Sequence, residues 1–246
     1  MGALDSWVED EHRADGRTAT TYRKGDGPGV LVLHESPGLT PEVVAFGEHL
    51  VAAGFTVVLP HLFGPAGRRP RPGEAALVIA RLCVSREVSL FATGATTPLA
   101  GWLRDLCRTL HAARGGPGVG VVGMCITGGY ALAAMTDPSV AAPVMAQPAV
   151  PVPLGSGRAA DLGLDPADLD RVAERAAAGC PVLGVRYRAD VSTGTRFETL
   201  RDRLGDDFVA VELAGRGHAT LTADLHPVAV ERVTGFLVER LSPAGP

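Results

Sequence analysis

Six short apolar runs, at residues 30–34, 56–59, 119–124, 140–145, 181–187 and 208–213, alternate with longer segments of helical spacing. Most of the runs are continuously apolar rather than alternating with polar residues. Such runs form strands buried on both faces of a parallel sheet. Five helices are expected between and after them, at 41–53, 97–113, 166–178, 195–204 and 225–241. The first opens with Thr40 as N-cap candidate and Pro41 at the first helical position, and stops at Gly54. The fourth and the third stop at Gly205 and Gly179. Strand–helix alternation of this kind closes as a doubly wound α/β sheet, mostly parallel, with helices on both faces. One domain is expected over residues 1–246, with residues 1–16 loosely packed and an antiparallel edge strand near 18–23.

Composition narrows the function classes. A net charge of −4 removes the dense basic surface that phosphate backbones require, so nucleic acid is not the expected partner. No apolar run reaches spanning length, and the first twenty residues lack the apolar core of a signal peptide. Four cysteines stand far apart with no CxxC pair, as in reduced thiols of a cytoplasmic chain. The irregular stretch 63–96 reads as loop and short helix above the sheet, where α/β enzymes bind ligands.

The chemistry is carried by one turn. Gly123-Met124-Cys125-Ile126-Thr127-Gly128-Gly129 places a nucleophile between a strand and a helix, with small residues on either side. That is the pattern of a nucleophile elbow, whose strained backbone packs too closely for side chains at the flanking positions. The helix start favours negative charge on sulfur, and the Ile126 N–H is a candidate oxyanion donor. A bland reading stands beside this one: free cysteine is among the most buried residue types, and Cys125 could be structural. Gly118, Gly120 and Gly123 also spell GxGxxG, but here the intervening residues are the strand itself, so the dinucleotide-binding reading is set aside.

A cysteine nucleophile needs a base, and the base an orienting acid. Asp190 follows the run 181–187 and His218 follows the run 208–213, in the chain order nucleophile, acid, histidine. Both come from strand C-terminal ends, on the rim of Cys125. His34 and His61 also end strands and are candidates to line the pocket. Arg68, Arg69 and Arg71 are candidates for an anion site, against the simpler reading that they face solvent.

With these residues in place, the sequence resembles the dienelactone hydrolase family over residues 17–241. The pieces that carry the likeness are LVLHESPGL, VVLPHLFG, GVVGMCITGGYAL, PVLGVRYRAD and AGRGHA. The resemblance implies a single-domain α/β-hydrolase with a Cys–His–Asp triad at Cys125, His218 and Asp190. It implies that Glu35 contacts the nucleophile and helps form the thiolate, and that Ser36 supplies the second oxyanion N–H. No metal or organic cofactor is implied. Two departures stand out. Thr222 occupies the place of an arginine that in the best-known members holds a substrate carboxylate, and Val191-Ser192-Thr193-Gly194 follows the acid where a Val-Pro pair is common. The expected function is hydrolysis of a lactone or activated ester through a thioester, by a monomer or homodimer acting on a small molecule. Two other readings remain open: a non-hydrolytic cyclisation, isomerisation or acyl transfer in a biosynthetic pathway, and a non-catalytic homologue that binds a small molecule.

Overall fold

The computed structural model describes residues 2–84, 98–149 and 159–242. Its centre is an eight-stranded sheet in the order β1-β2-β4-β3-β5-β6-β7-β8. The strands are β1 Val8–Ala14, β2 Arg17–Lys24, β3 Gly29–Leu33, β4 Thr56–Pro60, β5 Val119–Met124, β6 Val140–Ala146, β7 Val182–Tyr187 and β8 Phe208–Leu213. From β4 to β8 all neighbours are parallel, and β1 and β2 add an antiparallel edge.

The apolar runs are explained by the two faces they serve. In β3, Leu31 and Leu33 point into one core while Val30 and Val32 point into the other. In β6, Met145 and its neighbours Val144 and Ala146 divide in the same way. Successive side chains of a strand alternate between faces, so a strand covered on both sides must be apolar at every position.

Seven helices are described: α1 Pro41–Ala52, α2 Glu74–Val84, α3 Pro98–Arg114, α4 Gly128–Met135, α5 Pro166–Ala177, α6 Arg196–Leu204 and α7 Pro227–Leu241. α1 and α7 cover one face through Val43, Phe46, Leu50, Val233 and Leu237. α3, α4, α5 and α6 cover the other through Trp102, Leu103, Leu132, Val172 and Phe197. Burying each such side chain is worth about 1.5–3 kcal/mol, which makes these apolar stripes the main source of helix docking. Asp165 caps α5 by accepting from the Asp168 N–H at 2.8 Å. Thr40 has the extended backbone of an N-cap but makes no side-chain capping bond.

One part of the chain differs from expectation. The opening segment, expected to be loose, carries β1, which pairs with β2 along its whole length, and Trp7 is buried against α1 with its indole N–H on Glu48. Within the irregular stretch 63–96, α2 is a helix of 11 residues, and residues 85–97 lie outside the described part. Among the described residues no helix is long and apolar enough to cross a membrane.

The chain passes from β3 outward to β4 and then returns to place β5 on the other side of β3. The C-terminal ends of β3 and β5 therefore flank a topological switch point, the usual ligand crevice of an open α/β sheet. Glu35 follows β3, Cys125 follows β5, Gln147 follows β6, Asp190 follows β7 and His218 follows β8.

Candidate active site

Cys125 has φ +54°, a left-handed conformation that costs a residue with a Cβ. The turn is held in that state by packing and by Thr127. The buried Thr127 hydroxyl lies 2.9 Å from the carbonyl oxygens of Met124 and Leu33 and accepts from the Met124 N–H. It thereby pins the elbow to β3. The small residues around it are dictated by space. A Cβ on Gly123 would lie 2.3 Å from the Thr127 carbonyl oxygen, and one on Gly128 would lie 2.9 Å from the Pro148 Cβ. Cys125 is partly exposed, whereas Cys107 and Cys180 are buried free thiols whose pKa is pushed up by burial.

His218 sits on a loop folded around Asp224, whose Oδ2 accepts from the N–H groups of His218 and Ala219 at 2.8 and 3.2 Å. The Tyr187 hydroxyl donates to the Asp224 carbonyl at 2.7 Å and ties this loop to β7. On the side chain, His218 Nδ1 lies 2.7 Å from Asp190 Oδ2. Asp190 is ionised and cannot donate, so Nδ1 carries the hydrogen and Nε2 is left for the sulfur. Burial pulls the His218 pKa down, but hydrogen bonds to Asp190 and Cys125 and their charges outweigh it and raise the value to about 10. Burial likewise pushes the Asp190 carboxyl up, and its bonds with His218 and Ser192 more than reverse this, holding it below the usual aspartate value. Cys125, His218 and Asp190 are thus brought together in one chain of contacts.

Glu35 lies beneath this rim and is 7% exposed. Its Oε1 bonds with the Thr222 hydroxyl, and its Oε2 accepts from the Gln147 amide at 3.2 Å. Gln147 in turn accepts from the Thr220 hydroxyl and N–H through its Oε1, at 2.5 and 3.3 Å. Burial raises the Glu35 pKa, against the opposing pull of Thr222 and Gln147. Both carboxyl oxygens are therefore directed at the histidine loop and β6, and the bonds of the Glu35 carboxyl go to Thr222 and Gln147 rather than to Cys125.

The remaining sequence candidates are spread more widely. His34 is fully buried; its Nε2 accepts from the Leu62 N–H at 3.0 Å and its Nδ1 meets the Glu35 carbonyl at 3.0 Å. Burial drives its pKa down to about 4, so it is a neutral strut under the Glu35 loop. His61 Nε2 bonds with the Gly64 carbonyl at 2.8 Å. Arg68 forks onto Glu74 and Arg69 onto Glu42, all on the surface, and Arg71 is exposed beside Glu74. Ser36 and Ile126 take their places beside Glu35 and Cys125, at the ends of β3 and β5.

Cys125, Gly129, Met145, Leu162 and Arg196 are among the residues that line a narrow crevice too tight to admit a water molecule. A larger groove of about 790 Å³, lined by Phe46, Leu225, Val230 and Val238, runs between α1 and α7 and includes none of Cys125, His218 and Asp190. The chemistry, not the volume, marks the site.

The dienelactone hydrolase family model matches residues 15–219, a span that runs from β2 into the histidine loop and includes Cys125, Asp190 and His218. The chain belongs to the dienelactone hydrolase family. None of the curated proteins matches the sequence. Among solved structures, a dienelactone hydrolase from Anabaena variabilis is similar at 18% identity and a TM-score of 0.63, covering 96% of this chain and 99% of that one. A dienelactone hydrolase-like promiscuous phosphotriesterase from metagenomic libraries is similar at 16% identity and 0.61, with the same two coverages of 96% and 99%. A thioesterase domain from the curacin biosynthetic pathway is similar at 13% identity and 0.56, covering 96% of this chain and all (100%) of that one. At these identities the likeness is one of fold, and it establishes the α/β-hydrolase architecture.

As a dienelactone hydrolase family member the chain has site features that its sequence pattern did not reveal. Ser192 contacts both Asp190 and His218, Gln147 bridges Glu35 to Thr220, and Arg196 lines the narrow crevice beside Cys125. Only Ser192 had a local sequence signal, a short polar residue two positions after a capping aspartate.

Proposed function

We propose that this protein is a cysteine-dependent hydrolase of a lactone or other activated ester, acting through a thioester. The observation that carries the reading is the chain of contacts Asp190 to His218 Nδ1, and His218 to Cys125, at a strained strand–helix turn.

In the proposed sequence the Cys125 proton resides on His218 Nε2 as a thiolate–imidazolium pair, consistent with the raised His218 value, and the thiolate attacks the ester carbonyl carbon. The oxyanion takes hydrogen bonds from the N–H groups of Ile126 and Ser36. The tetrahedral adduct collapses, the C–O bond breaks, and the departing alkoxide takes the Nε2 proton, leaving an acyl group on sulfur. A water then gives a proton to Nε2 and attacks the thioester. Collapse releases the carboxylic acid and restores the thiolate–imidazolium pair. Asp190 stays ionised and holds the ring throughout. Because both Glu35 oxygens are engaged by Thr222 and Gln147, His218 is assigned as the proton acceptor. Glu35 then acts as the brace that holds the histidine loop over the elbow.

A second reading, acyl transfer from a thioester substrate, has the same geometry in its favour and the curacin thioesterase domain as a structural relative. The test is turnover of p-nitrophenyl acetate, a dienelactone, plain lactones and an acyl thioester by wild type and Cys125→Ala. Loss of ester turnover in the variant supports the cysteine hydrolase. Unchanged ester turnover overturns it, and turnover of the thioester alone favours the second reading.

A further inference from the structure

Resting on the Asp190–His218–Cys125 reading above, we infer that Ser192 is a positioning residue for His218, a fourth polar group built into the acid turn. Residues Val191–Thr193 form a single 3-10 turn that Asp190 caps. The Ser192 N–H donates to Asp190 Oδ1 at 3.0 Å, and the Ser192 hydroxyl donates to the same oxygen at 2.5 Å. The same hydroxyl oxygen lies 2.9 Å from His218 Nδ1.

A hydroxyl has one hydrogen and two lone pairs. With its hydrogen on Asp190, its lone pairs face the Nδ1–H. That hydrogen is therefore held between Asp190 Oδ2 at 2.7 Å and Ser192 Oγ at 2.9 Å. The ring is clasped on its Nδ1 side, which keeps Nε2 turned toward the sulfur. Asp190 is fixed at the same time, because Ser192 occupies the carboxyl oxygen that His218 does not use.

The other residues of the turn do different work. Val191 is 89% exposed, and Thr193 is buried with its hydroxyl on the Asp190 carbonyl at 2.8 Å. Arg186 reaches Thr193 Oγ1 at 3.3 Å and the Gly194 carbonyl at 3.4 Å, and is itself held by Glu212 and Glu198. The turn is thus anchored from below by Arg186, and Ser192 is the member that faces the acid and the base. Partial exposure of Ser192 leaves room for alanine or threonine without repacking a core.

The test compares wild type, Ser192→Ala and Ser192→Thr in two ways. The first is kcat and KM on p-nitrophenyl acetate. The second is the downfield proton resonance of His218 Nδ1–H, which needs no turnover and reports the clasp itself. The expected result for Ser192→Ala is a loss of roughly tenfold in kcat with KM within about twofold, and a displaced Nδ1–H resonance. Ser192→Thr, which keeps the hydroxyl, restores both toward wild type. An unmoved resonance in Ser192→Ala overturns the inference whatever the rate does, and so does a displaced resonance with unchanged kcat. Failure of the hydrolase reading shows separately, as undiminished turnover in Cys125→Ala.

Discussion

The Thr222 hydroxyl is hydrogen-bonded to the Glu35 carboxyl, joining the end of β3 to the histidine loop across 187 residues of chain. Glu35 is buried, and Gln147 is its other side-chain partner. A carboxyl in that setting is costly to ionise, which is why its pKa stands above the ordinary 4.5. The folded state thus holds the Glu35 proton more tightly than the unfolded chain does. Its contribution to stability is fully present below pH 4.5 and is lost as pH rises through the folded value.

Glu35→Gln removes the titration while keeping an acceptor and a donor for Gln147 and Thr222. Urea denaturation at a series of pH values is expected to show the variant gaining on wild type as pH rises above 4.5. Parallel stability curves over that range would mean that the buried carboxyl is not the group that titrates.

His218 titrates in the same direction, at higher pH. Its folded value of about 10, against an ordinary 6.5, means that the imidazolium persists well above neutrality. The stability it contributes is fully present below pH 6.5 and is lost as pH rises through about 10. The basic limb of the pH–kcat/KM profile is expected near 10 as well, where the general acid is lost. Asp190→Asn is expected to move that limb down toward 6.5 and to lower kcat by about a thousandfold or more. A limb that stays in place in Asp190→Asn contradicts the pairing.

Gly123→Ala tests the elbow through its backbone. The added Cβ would meet the Thr127 carbonyl oxygen at 2.3 Å and the Gly128 Cα at 3.1 Å, both main-chain atoms that yield only if the turn opens. The variant is expected to lose about 1–3 kcal/mol of stability, read by urea denaturation, and most of its turnover. Full activity with a normal denaturation midpoint would show that the turn has slack.

The sheet was legible because its strands are covered on both faces. The bounds of β5 follow directly from a run of Val, Gly and Met that is buried at every position and that no surface strand would carry. β1 was missed because it is an edge strand, Val-Glu-Asp-Glu-His-Arg-Ala, with nearly every side chain in solvent. Its signal was the hairpin turn, where Asp15 and Gly16 have φ +49° and +73°, the conformation an Asp-Gly pair favours. Cys125, Asp190 and His218 could be singled out because each follows a strand end. The network beneath them was not legible, because Gln147 to Thr220 spans 73 residues and Glu35 to Thr222 spans 187, and no local period records such contacts. The absent arginine at 222 becomes intelligible in the fold: a threonine there turns its hydroxyl inward to Glu35.

The central claim is an acyl group carried on Cys125. The measurement that tests it most directly is peptide mass analysis of wild type, His218→Ala and Cys125→Ala after brief reaction with p-nitrophenyl acetate and an acid quench. The account predicts acetyl on the Cys125 peptide in wild type, slower acetylation of it in His218→Ala, and none in Cys125→Ala. Acetyl on another residue, or ester turnover that survives in Cys125→Ala, would contradict it.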